Sequence, residues 1–192
     1  MFTRSLIEHS SIVIEGIGRT PKVLWCYGIK QDFKPIANSR TVFHEGLVDE
    51  DDLKRMRPDI LVVDDLMTEK SNDPFMHNLF VKVSHHMRIT VIYITQNLYE
   101  KGQCKLKRNA HYLVLMRNPS DKGLLSTLAS QLYPRNKRLQ EHFYESYDDA
   151  TSDRYGYLLI DVSPESDEKQ KLKTNVFPSS DDSLRVIVYQ PR

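Results

Sequence analysis

Residues 60–63, Ile60-Leu61-Val62-Val63, carry no polar atom in any side chain, and the run stops on two carboxylates, Asp64 and Asp65. No other feature constrains the fold as much. A strand with one face in water alternates apolar and polar residues. A strand that is apolar at every position must be covered on both faces, as parallel strands inside α/β sheets are. Val91-Ile92-Tyr93-Ile94-Thr95, ending on Gln96-Asn97, and His111 to Met116 (HYLVLM), ending on Arg117-Asn118-Pro119, have the same form. Val23 to Tyr27 (VLWCY), closed by Gly28, reads as a further buried strand. Thr41 to His44 and Tyr157 to Val162 complete the set.

Helical signals lie between these runs. Glu50 to Arg57 is a short charged helix stopped by Pro58. Asn72 or Asp73 caps a helix with Pro74 at its first position and an apolar stripe of Phe75, Met76, Leu79, Phe80 and Val83. Two more helices, from about Asp121 to Leu132 and from about Asn136 to Tyr147, are separated by Pro134. Phe2 to His9 has helical spacing without a cap, like the tail of a longer helix. Strands alternating with helices predict an α/β fold with a mostly parallel sheet flanked by helices. Residues 163–183 are polar and read as a flexible tail, after which Leu184 to Tyr189 (LRVIVY) can add an edge strand or dock on a partner. The expected organisation is therefore a core over residues 1–162 and a tail over 163–192.

The 27 Lys and Arg nearly balance the 26 Asp and Glu, so overall charge selects no partner. Charge is uneven, however, with nine Lys or Arg and one acid between Lys101 and Arg138, and mainly acids from Glu141 to Glu168. Cys26 and Cys104 are the two cysteines, without the spacing of a zinc ribbon or a disulfide scaffold. No apolar run approaches the ~20 residues that span a bilayer, and the N-terminal residues lack a signal-peptide h-region. These features predict an intracellular protein, cytoplasmic or nuclear, with no membrane partner.

Ligand sites in open α/β sheets lie beyond the carboxyl ends of the strands, where Asp64 and Asp65 fall. A carboxylate there can hold Mg²⁺ through water while the metal bridges nucleotide phosphates. Its neighbour can orient or deprotonate an attacking water. The plainer reading is an Asp-Asp turn whose first acid caps the next stretch of backbone. The buried strand before the pair favours the site. Gln96 and Asn97 end the strand one crossover later, where an amide can reach a terminal phosphate or the attacking water without adding charge.

On these residues the chain resembles a known family. ILVVDDLM, residues 60–67, looks like a Walker B motif, and VIYITQN, residues 91–97, resembles the polar sensor strand of additional-strand P-loop ATPases. The longer pattern PDILVVDDLM, LFVKVSHHMRITVIYITQNLY and NAHYLVLMRNPSDKGLLSTLASQLYP is similar to the packaging ATPases of large DNA viruses and virus-derived elements, relatives of the HerA/FtsK and poxvirus-type motors. The resemblance runs from about Leu6 to Tyr147 and is densest from Asp59 to Pro134. It implies a RecA-like fold and an oligomeric, DNA-translocating ATPase using Mg²⁺ and ATP. Asp64 would be the Mg²⁺-facing acid, Asp65 the water-activating acid and Gln96 the sensor, with Asn97 beside the nucleotide.

Such an enzyme also needs G-x-x-x-x-G-K-[ST], whose backbone N–H groups cradle the phosphates. None of the 7 glycines fits that pattern, and Gly16-Ile17-Gly18-Arg19-Thr20 has the wrong spacing and no Lys. The resemblance places the missing Gly-Lys-Ser/Thr just before Met1, which implies a core truncated at its N-terminus and no bound cofactor for this chain alone. The strand bearing that loop would adjoin both the sensor strand and the His111–Met116 strand, and Ser11 to Glu15 (SIVIE) is the candidate to fill its place.

Other constellations are weaker. His77, His85 and His86 with Glu69 match no zinc spacing. Arg88, in a His-His-Met-Arg run where the family tends to show His-His-Arg, and Arg117 are alternatives for a trans-acting arginine. Lys101, Lys105, Lys107 and Arg108 can contact DNA phosphates or form a solvated basic loop. Arg135, Lys137 and Arg138 open a helix, where positive charge is unfavourable. Cys104 has no evident base. The competing functions are a non-catalytic DNA- or protein-binding module, and a nuclease built on Asp64, Asp65, Glu69 and Lys70. The nuclease ranks last because no second acidic strand end is evident in the sequence.

Overall fold

The computed structural model describes residues 2–17, 20–28, 39–66, 78–99, 108–120, 122–178 and 185–191. The chain divides into two compact units, Thr3–Asn109 and Ala110–Arg192, the latter with Met1–Phe2.

The first unit holds a four-stranded, all-parallel sheet of β1 (Val23–Tyr27), β2 (Thr41–Glu45), β3 (Ile60–Asp64) and β4 (Thr90–Ile94), in the order β2-β1-β3-β4. Successive side chains of a strand point to opposite faces, and here both faces are covered. Leu24, Cys26, Leu61 and Val63 pack with Val48, Leu53, Leu79, Val83 and Ile89 on one side. Val23, Trp25, Ile60 and Val62 pack with Ile7 and Ile17 on the other. This double cover explains why the runs do not alternate.

The covering helices are α1 (Phe2–Glu8), which supplies Ile7, and α3 (Glu50–Met56), which supplies Leu53. A π-helical turn, Leu79–Val83, runs into α4 (Ser84–Met87). Asp49 caps α3 by accepting from the Asp52 N–H at 2.7 Å. Acids fill the first turn of α3, and Lys54 and Arg55 its last, as the helix dipole favours. Arg57 ends it with φ of 43°, in the left-handed conformation common after helices. Ser11 to Glu15 is not a strand: Ser10–Val13 form the short helix α2. The cap at Asn72 or Asp73 and the stripe residues Phe75 and Met76 lie outside the described residues.

The second unit departs from a single, mostly parallel sheet. Its strands β5 (Tyr112–Met116), β6 (Tyr157–Asp161), β7 (Leu172–Thr174) and β8 (Ile187–Tyr189) form an antiparallel sheet in sequential order. The connection between β5 and β6 gives the reason. One helix returns a chain to the end of the sheet where the strand began, so the next strand is parallel. Two antiparallel helices return it to the end where the strand finished, so the next strand runs back. That connection consists of α5 (Lys122–Leu132) and α6 (Lys137–Ala150). The chain breaks between them at Pro134 and Arg135, the latter with φ of 60°. Asn136 caps α6 by accepting from the Leu139 N–H.

Leu113, Leu115, Leu158, Ile160 and Leu172 of the sheet form one core with Leu128, Ala129, Phe143, Tyr147 and Ala150 of the helices. β7 falls within residues 163–183, the stretch read from the sequence as a polar tail, whereas β8 lies within Leu184 to Tyr189 and is the edge strand those residues can add. The Tyr189 hydroxyl donates to Asp149 Oδ2 at 2.6 Å, tying β8 to α6. No helix among the described residues is long and apolar enough to cross a membrane.

The Tyr147 hydroxyl donates to the Met116 carbonyl at 3.1 Å and accepts from the Asn118 N–H at 3.0 Å, so it holds the chain where it leaves β5. Tyr147→Phe keeps the ring and leaves both backbone groups without this partner. The variant is expected to lose about 1–2 kcal/mol in urea unfolding. An unchanged midpoint would show that the hydroxyl contributes nothing.

Candidate functional site at the carboxyl end of the parallel sheet

The register levels the ends of three neighbouring strands, with Tyr27 of β1 beside Asp64 of β3, and Asp64 beside Ile94 of β4. Asp64 therefore sits at the carboxyl end of an inner strand. It shares a face with Trp25, because Trp25 pairs with Val62, two residues earlier on β3. The Trp25 indole N–H donates to Asp64 Oδ2 at 3.2 Å.

Asp65 turns the chain away from the strand. Its φ is 49°, a left-handed conformation that Asp tolerates better than most residues. The Asp65 N–H donates to the Ile94 carbonyl, and the Gly28 N–H to the Asp64 carbonyl, each at 3.3 Å. A Cβ on Gly28 would lie 2.8 Å from the Asp65 carbonyl oxygen, so a glycine is required at that close approach. Gln96, two residues beyond β4, donates from Nε2 to Asp65 Oδ2 at 3.1 Å. Of the residues expected to act together, Gln96 touches Asp65 directly.

Asn97 plays a local part. Its Oδ1 accepts from the Tyr99 N–H at 3.0 Å, and its N–H donates to Thr95 Oγ1 at 3.2 Å, closing the loop after β4. Arg108 is exposed, whereas Lys101, Lys105 and Lys107 lie outside the described residues, as does Cys104. Arg88 ends α4 with φ of 53° and is exposed, as is Arg117 at the end of β5. Arg135 occupies the turn before α6, with Lys137 and Arg138 in the first turn of that helix. His77, Glu69, Lys70 and the side chain of His85 lie outside the described residues. Among the described residues no group of three or more His, Cys, Asp or Glu is placed to hold a metal ion.

Three positions at this end of the sheet escaped the sequence reading. Trp25 looked like one more member of an apolar run. Gly28 looked like a strand end. Glu45 ends β2 in register with Tyr27 and so lies on the Asp64 face. It is a second acidic strand end, but β1 stands between, putting it roughly 10 Å from Asp64 at two strand spacings. That is too far for both carboxylates to ligate one ion directly.

Burial raises the Asp64 pKa; the Trp25 hydrogen bond opposes the shift, and the Asp65 charge adds to it. Its charge is thus poorly solvated, a cost that a cation would relieve. Mg²⁺ accepts one carboxylate and completes its shell with water and phosphate oxygens, and Asp64 fits that role. The G-x-x-x-x-G-K-[ST] pattern that would cradle the phosphates of ATP does not occur in these 192 residues.

No protein-family model, curated protein or solved structure matches the chain.

The raised pKa has a consequence for stability. A carboxyl group held more tightly protonated in the folded state contributes fully below the ordinary Asp value. That contribution is lost as pH rises through the folded value. At neutral pH the ionised Asp64 is therefore a net cost to the fold. Asp64→Asn, which carries no charge at any pH, is expected to melt higher than the wild type at pH 7. The difference should shrink as pH falls below about 4, the ordinary Asp value. Thermal unfolding of both proteins between pH 3 and 8 checks this, and a gap that does not change with pH would contradict it.

Proposed function

We propose that this chain carries the metal-facing and sensor elements of a RecA-like P-loop ATPase of the DNA-packaging type, and that by itself it does not turn over ATP. The observation that carries the reading is the contact from Gln96 Nε2 to Asp65 Oδ2 across the ends of adjacent parallel strands. In the family this pairing of an acid-bearing strand with a polar-ended neighbour forms the hydrolytic end of the sheet. The strand order lends support. Among the described residues β4 is the outer strand of the parallel sheet, and there the family's loop-bearing strand would run.

In a complete enzyme Mg²⁺ would neutralise charge on the nucleotide phosphates. Asp64 would be the residue to face the cation, and Asp65 the one to accept the proton of an attacking water; the uncharged Gln96 amide, bonded to one oxygen of Asp65, would leave the other for that role. The complete protein would act as a homo-oligomer on DNA inside the cell. Lys101, Lys105, Lys107 and Arg108 would meet phosphates without reading sequence.

Calorimetry with Mg·ATP tests the central claim. The chain as it stands is expected to show no specific binding. A chain joined at its N-terminus to a strand and G-x-x-x-x-G-K-[ST] from a packaging ATPase is expected to bind. In the extended chain Asp65→Asn should lower hydrolysis roughly 100-fold or more while sparing binding. Micromolar affinity in the unextended chain, or equal hydrolysis without Asp65, would overturn the reading in favour of a binding module.

DNA binding, measured by fluorescence anisotropy over a salt series, should be indifferent to sequence. Replacing Lys105, Lys107 and Arg108 by Ala should flatten the slope of log K against log salt by roughly 0.9 for each phosphate no longer neutralised. An unchanged slope would make the loop a solvated face.

A further inference from the structure

The chain has a single tryptophan. Trp25 is only 3% exposed, and its ring tilts against Phe43 with centroids 6.3 Å apart. It shares a cluster with Ile7, Ile60 and Val62. A large ring held by close-packed neighbours keeps one orientation. Its indole offers one N–H donor, which lies 3.2 Å from Asp64 Oδ2. A rigid apolar body rooted in the core thus reaches one particular oxygen of the acid at the strand end.

A flexible partner on that oxygen would leave the carboxylate free to rotate about its Cβ–Cγ bond. An indole fixed by packing does not, because the ring cannot follow. The bond engages Oδ2, so the two oxygens of the carboxylate are no longer equivalent. We propose that Trp25 is a positioning residue for Asp64: its indole pins Oδ2 and the plane of the carboxylate, so that Asp64 presents Oδ1 to a hydrated Mg²⁺ or Mn²⁺ ion. The inference rests on the reading of Asp64 as the cation-facing acid. The purely structural alternative is that the acid merely satisfies a buried indole N–H. In that case loss of the indole would unsettle the fold but leave cation affinity alone.

The single tryptophan supplies its own probe. In the ¹⁵N-labelled chain Trp25 gives the only indole N–H resonance. Asp64→Asn is expected to shift that resonance in the absence of metal. Mg²⁺ alone should move it saturably in the wild type, and Mn²⁺ alone should broaden it selectively. Neither ion should do so in Asp64→Asn. Trp25→Phe keeps an aromatic ring without the donor. If thermal melts show it folded, its affinity for Mn²⁺, read from the electron paramagnetic resonance of the free ion, should fall several-fold. If it does not fold, the wild-type and Asp64→Asn resonances decide.

An indole resonance that ignores Asp64→Asn, or full Mn²⁺ affinity in folded Trp25→Phe, overturns the positioning role while leaving the cation reading intact. Mn²⁺ affinity that is equal in wild type and Asp64→Asn, including no binding by either, removes the cation reading and the positioning role with it.

Discussion

The ladder joining β1, β3 and β4 is the constraint on which the candidate site depends. Parallel strands in register end at the same level, so residues far apart in sequence arrive at one edge without any loop having to place them. Asp65 and Gln96 meet through that alignment. It holds only because both faces of the ladder are buried: slipping one strand by one residue would exchange the Leu24 and Cys26 face for the Val23 and Trp25 face. The same requirement that selects Ile, Leu and Val for residues 60–63 therefore fixes where the carboxylates stand.

Burial at the strand end has an electrostatic side. Asp64 is far enough from bulk water to be destabilised as an anion, and Asp65, its neighbour in the chain, adds to the strain. The backbone shares in it, since Asp65 adopts a left-handed conformation unusual for a residue with a side chain. Gly28 is cut away to make room. Poorly solvated charge and unusual backbone gather at one turn, where a fold optimised for stability alone would place neither. This is the physical reason to regard the turn as a working part.

Much of the parallel sheet was legible because its signal is local: an apolar run of five residues bounded by Gly, Pro or acids is visible in any window. The antiparallel unit was less so. The direction of β6 depends on how many helices precede it, and that count bears on strand direction only once the two helices are seen to pack as a hairpin. The residues of β7, Leu172-Lys173-Thr174, are too short and polar to stand out from the tail around them. At the site, the acids and the amide could be found because their chemistry shows in the residue type. Trp25 could not, because an indole counts as apolar until the register reveals what its N–H faces. Glu45 was missed because the strand was read as ending one residue earlier, at His44.

The strand order of the second sheet bears on how that unit can be made. β5, β6, β7 and β8 lie side by side in the order in which they are synthesised. Met116 must wait for Tyr157, across the whole helical hairpin, and this first closure carries the largest entropic penalty. Once it is made, each later strand adds to an edge already in place, over a much shorter loop. A chain emerging from the ribosome can therefore complete this unit by accretion, with no strand having to insert between two that are already paired. Its costliest loop closure is the one that spans the two helices, and the later strands close over shorter loops.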